Sequence, residues 1–172
     1  MVLAQCLAGL PLPAAWGVAG AAATAAFLIG LNTPADWRTE NSEVAAWARQ
    51  MRKASIPEDV YRPYVLEPQI APGFSLRHRR ELWHTFYQTC VADSPTQIAR
   101  RLKEALDVQF LIRPDNSPTV ATFDEIWATR TCTLAERWYL LAAALRTLDV
   151  PARMRERKPE IWVEGQWLPT SQ

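Results

Sequence analysis

Apolar residues recur every three to four positions over most of this chain and begin to alternate only near its end. Pro11 and Pro13 open a first helix expected to reach residue 31, where Asn32-Thr33-Pro34 stops it. Ser42 is the expected cap of a second helix, with Val44, Trp47, Ala48 and Met51 as its apolar stripe. Pro57, Pro63, Pro68 and Pro72 then break the chain into turns, because proline lacks the amide hydrogen a continuing helix needs. A third helix fits 76–91 with Leu82, Phe86 and Cys90 in phase. Ser94-Pro95 opens a fourth, turning Ile98, Leu102, Ala105 and Leu106 inward. The run 108–112 reads as a short strand and 115–118 as a turn. Thr122 caps a short helix through Trp127, and 133–148 is a long apolar helix. After Pro151 the period shortens to two, predicting strands at 152–156, 161–163 and 166–169, the last two joined at Glu164-Gly165. Helices first and strands last predict an α+β fold with segregated layers.

Composition narrows the functions open to such a fold. At 172 residues the chain can bury a substantial core. Its 19 Lys and Arg nearly balance 18 Asp and Glu, so no overall field draws it to nucleic acid. The basic runs Arg77-His78-Arg79-Arg80 and Arg100-Arg101-Lys103 adjoin Glu81 and Glu104 and read as solvated helix faces. The first 35 residues carry no charge, and 14–31 is long enough to span a membrane. It is rich in Ala and Gly, however, and no Lys or Arg precedes it, so a buried helix is the favoured reading over membrane association. Three cysteines, Cys6, Cys90 and Cys132, leave at least one thiol free and make no disulfide framework. Compartment and oligomeric state stay open.

Chemistry is suggested at one place. Cys132 stands at the head of the long apolar helix, where aligned backbone amides and the helix dipole favour thiolate. A nucleophilic cysteine also needs a base, and no histidine follows His84. His78 and His84 are six residues apart, on nearly opposite faces of a helix, so they form no metal pair. No metal and no cofactor are expected.

The run from 126 to 153 contains Thr131-Cys132-Thr133, an apolar helix, then Ala144-Leu145-Arg146, three residues, and Val150-Pro151-Ala152-Arg153. This resembles the core of the transglutaminase-like superfamily. Upstream, Ile56-Pro57-Glu58-Asp59-Val60-Tyr61 and Tyr64-Val65-Leu66 are similar to the segment preceding that domain in larger bacterial members. The resemblance, covering roughly 56–170, implies a papain-like fold in which a cysteine-headed helix packs on a small antiparallel sheet. It divides the chain into an N-terminal helical extension, 1–55, and a transglutaminase-like domain, 56–172. It implies acyl transfer or amide hydrolysis by a cysteine, histidine and aspartate, with Cys132 as the nucleophile. The expected histidine is absent from 154–161, where, depending on register, Glu156 or Glu160 stands near its position. The aspartate position falls at Thr170 or Ser171. The chain is therefore most similar to members that have lost the catalytic histidine.

A carboxylate beside a cysteine opposes thiolate, and an exposed one is a poor base near neutral pH. The plainer role for Glu156 or Glu160 is a hairpin carboxylate paired with Arg155, Arg157 or Lys158. Trp127, Trp162 and Trp167 are the expected lining of a ligand groove beside Cys132, against the plainer account of cross-strand packing for the last two. The expected function is a catalytically degenerate domain that keeps a groove for a peptide or glycan-linked ligand. The alternative is a working cysteine acyltransferase or amidase whose base comes from His78, His84 or another chain. A peptide or protein is the expected partner, and nucleic acid is not.

Overall fold

A computed structural model describes residues 36–90, 94–115 and 119–170, with the side chains of 88–90 left aside. The expected helix over 11–31, and with it the question of membrane association, lies outside these residues. No helix among the described residues is long and apolar enough to cross a membrane. The compact unit containing the sheet begins at Asp36.

The reason lies in helix α1, Trp37–Arg52. The Asp36 carboxylate accepts from the Arg38 amide and starts the helix well before Ser42. The Ser42 hydroxyl instead donates to the Arg38 carbonyl within the helix. Asn41, Val44, Ala45 and Ala48 form its buried face, with i, i+3, i+4, i+7 spacing. That face is part of the fold, and Asn41 donates to the Leu76 carbonyl at 2.5 Å. Trp47 and Met51, expected inside, are 43 % and 50 % exposed because they fall on the flank of that stripe. The Arg80 guanidinium lies 5.8 Å from the Trp47 ring centre.

Helix α2, Glu58–Tyr61, passes into a π-helical turn, Arg62–Leu66. Strand β1, Gln69–Ala71, then pairs antiparallel with β2, Phe74–Ser75, around Gly73 at a φ of 79°. The Leu76 amide donates to the Pro68 carbonyl at 2.7 Å, and helix α3 spans Arg79–Cys90. Helix α4, Pro95–Gln109, opens with a reciprocal capping box between Ser94 and Gln97 and buries Ile98, Ala99, Leu102 and Leu106. It takes in Val108 and Gln109 of the run expected to be a strand, leaving Val108 exposed on its outer face, Phe110 extended and Leu111–Ile112 as strand β3. Helix α5, Phe123–Thr129, is capped by Thr122 with Glu125, and β4, Thr131–Cys132, pairs in parallel with β3.

Helix α6, Leu134–Thr147, is the axis of the fold, with 140–147 buried throughout. Helices α1, α3 and α4 pack around it, and so does the sheet of β5, Ala152–Arg155, β6, Lys158–Val163, and β7, Gln166–Pro169. This sheet is an antiparallel meander in the order β5-β6-β7. Its turns, Glu156-Arg157 and Glu164-Gly165, have positive φ at both central residues, the geometry that matches strand twist in two-residue hairpins. The fold is α+β. One core gathers Leu140, Leu141 and Leu145 with Leu82, Phe86, Ile98 and Ile161. A smaller cluster holds Ile56, Val60, Tyr61 and Val65 against Tyr64, Trp162 and Trp167.

Candidate functional site at the mouth of helix α6

The mouth of α6 is built by a capping box, not by a cysteine. Thr133 is the N-cap, its hydroxyl accepting from the Glu136 amide at 3.2 Å while the Thr133 amide donates to the Glu136 carboxylate at 2.7 Å. A hydroxyl next in line makes the better acceptor for a helix amide than a thiol, so the helix takes Thr133 and leaves Cys132 in β4. Glu136 is 2 % exposed and also accepts from the Ala121 amide at 2.7 Å. The Arg113 guanidinium donates to both its oxygens, at 3.0 and 2.9 Å. One buried carboxylate thereby pins the segments around Arg113 and Ala121 to the head of the helix.

Cys132 is fully buried and belongs to the main core. Burial pushes its thiol pKa up, and the nearby Glu136 charge pushes it further, outweighing Arg137 and Arg113. This reverses the expected lowering of the thiol pKa. The helix dipole favours an anion at its mouth, but desolvation of a buried thiolate opposes it and dominates here. The residues that carry the first turn of α6 are Leu134, 51 % exposed, and Ala135, which faces a cavity of about 220 Å³ with Thr133, Tyr139 and Arg157. Neither Leu134 nor Ala135 carries a nucleophilic atom.

The other expected site residues are not gathered around that sulfur. Glu160 opposes Arg153 across β5 and β6, with its Oε2 2.7 Å from Arg153 Nη2 and its Oε1 3.5 Å from Arg155. The Arg153 guanidinium lies 4.3 Å from the Trp167 ring centre. Glu160 is thus a sheet ion pair, and the charges acting on Cys132 are Glu136, Arg137, Arg113 and Asp107. Glu156 is an exposed turn residue. His78 places Nε2 2.5 Å from Asp124 Oδ1 and Nδ1 3.8 Å from Glu81, and stacks on Phe123. His84 is exposed on α3.

The three tryptophans also divide. Trp127 stacks on Phe123 and packs on the core that holds Cys132. Trp162 and Trp167 meet edge to face at 5.3 Å across β6 and β7, and Tyr64 meets Trp167 at 4.7 Å. Cross-strand packing therefore accounts for that pair. Trp162 also lines a cleft of about 450 Å³ with Arg52, Pro57, Ser94, Asp149 and Pro151. Among the described residues no cluster of His, Cys, Asp or Glu could hold a metal ion.

Sequence reasoning missed Glu136, Arg113 and Asp149. The first had a signal, since Thr133 followed three residues later by Glu136 spells a capping box ahead of an apolar run. Nothing local marked the other two, whose roles come from distant segments. No protein-family model, curated protein or solved structure matches this chain.

Proposed function

We propose that the chain is a transglutaminase-like domain that has lost its catalytic set and holds a peptide or glycan-linked ligand without cutting or transferring it. The observation that carries this reading is the state of Cys132: no exposed surface and a thiol pKa raised by burial. A cysteine nucleophile works as thiolate, in contact with substrate and a base, and a buried protonated thiol meets none of these needs. Nucleophile and base act as a unit, so losing either removes nearly the whole rate enhancement. Two further facts support it. Of the two carboxylates near the expected histidine position, Glu160 is occupied by Arg153 and Arg155 and Glu156 is an exposed turn residue. A cleft of about 450 Å³ remains beside Trp162, within the size range of ligand pockets.

The test is thiol labelling with iodoacetamide at pH 6 and pH 8, followed by mass spectrometry of the peptide containing Cys132. The reading expects negligible modification of that residue until urea unfolds the chain. A panel of fluorogenic peptide amides should show no turnover above buffer. A fluorescent peptide library should bind wild type and Cys132→Ala alike, and bind Trp162→Ala more weakly. Fast labelling at pH 6, together with amide turnover that Cys132→Ala abolishes, would establish the cysteine acyltransferase or amidase instead.

A further inference from the structure

The chain passes from α6 to β5 through the short segment Leu148, Asp149, Val150 and Pro151. Asp149 has a φ of 59°, a left-handed conformation that Asp tolerates better than most side chains. It is 1 % exposed, and its amide donates to the Arg146 carbonyl at 3.4 Å. Neither of its carboxylate oxygens has a hydrogen-bond partner.

The elements packed against it present three cations and a phenol: Arg49 and Arg52 from α1, Arg79 from α3, and Tyr61 from α2. Arg49 and Arg79 have other attachments. The Arg79 guanidinium donates to the Val65 carbonyl, and that of Arg49 lies 4.0 Å from the Tyr61 ring centre and 3.8 Å from Glu58. Their fields favour an ionised Asp149 without supplying it a hydrogen bond. An ionised carboxylate that is buried and unbonded is costly, whatever the cations nearby. The neutral acid is the form this site accepts more easily. Desolvation accordingly outweighs all three arginines, and the group titrates near 6.

We propose that Asp149 is a proton-operated latch in the joint between α6 and β5: protonated, it lets the joint close down, and ionised, it loosens the joint. The same movement reaches the cleft of about 450 Å³, because Asp149 and Pro151 are part of its wall with Trp162 on the adjoining strand. The latch is a property of the joint and holds whether or not the cleft takes a ligand. Its sign is fixed. A carboxyl whose folded pKa lies above its unfolded value of 3.8 contributes stability below that value and loses it as pH rises through about 6.

Two measurements on the full chain test the latch, each made on wild type and Asp149→Asn, a neutral near-isostere that also accepts the left-handed backbone. The first is the urea midpoint from pH 4 to 7.5. Wild type should lose stability between about 4 and about 6, and the Asn variant should lack that loss. The second is amide hydrogen exchange, corrected for intrinsic rates, over 147–151 and 162–165. At pH 7.5 these segments should exchange faster in wild type than in the variant, by up to about 100-fold, the factor two pKa units set. At pH 4 the two proteins should agree. Asp149→Gly, which also accepts a positive φ, gives the same comparison if the Asn variant does not fold. The latch is refuted if the neutral variants keep the wild-type slope, or if the joint exchanges equally in all proteins at pH 7.5.

Discussion

Two buried carboxylates with opposite surroundings dominate at the scale of single residues. Glu136 is fully satisfied by the Thr133 and Ala121 amides and the Arg113 guanidinium. Glu136→Ala leaves those donors stranded at the mouth of α6. It should lower stability by about 2–4 kcal/mol in urea titrations, the range for breaking buried charge-assisted bonds. Asp149 has no such bonds, and its pKa of about 6 against 3.8 makes it a cost of about 3 kcal/mol above pH 6. Asp149→Asn should therefore stabilise the fold at pH 7.5 by an amount of that order and do nothing at pH 3.5, as read by urea midpoints. Of these two residues only Glu136 was legible in the sequence, because capping boxes are local. The burial of Asp149 is set by α1 and α3, from which it is separated by some 60 residues or more. Cys132 shows the same limit. Its place near a helix head is local, but whether that place is wet or dry depends on what packs over it.

Among the elements, several starts and turns and most inward faces were legible in the sequence, Val44, Leu82, Phe86, Ile98 and Leu102 all being buried as expected. The boxes at Ser94 and Thr122, the strands after Pro151 and the turn at Glu164-Gly165 are all where local chemistry puts them. Gly165 has a φ of 88° and open space around its missing side chain, so Gly165→Ala meets backbone strain and no clash. It should cost about 1 kcal/mol in thermal or urea melts, as should Ser94→Ala through loss of the α4 cap. The errors have equally physical causes. Helix α1 starts at Asp36 because that carboxylate reaches the first turn, whereas Ser42 is already inside the helix. The run 108–112 has strand-forming residues, yet α4 carries on to Gln109 because its inward face is still paying out apolar residues at Leu106 and Phe110.

For the molecule as a whole, one side chain ties together segments that no local pattern connects. Arg146, 4 % exposed near the end of α6, donates to the carbonyls of Ala152, Glu67 and Gln69 at 2.9, 2.7 and 3.0 Å. It thereby fixes β5 and the segment before β1 to the central helix. Arg146→Lys keeps the charge but not the planar fork, and should lose about 2–3 kcal/mol of stability by chemical denaturation. By itself the sequence determined what neighbours along the chain can decide: helix-forming stretches, caps, hairpin turns and the α+β order of elements, because these rest on backbone period and on hydrogen bonds only a few residues long. Tertiary structure alone decided the solvation of each polar group. It placed Cys132 in a dry core, gave Glu160 to Arg153 and left Asp149 without a donor, because burial and charge pairing depend on residues distant in the chain.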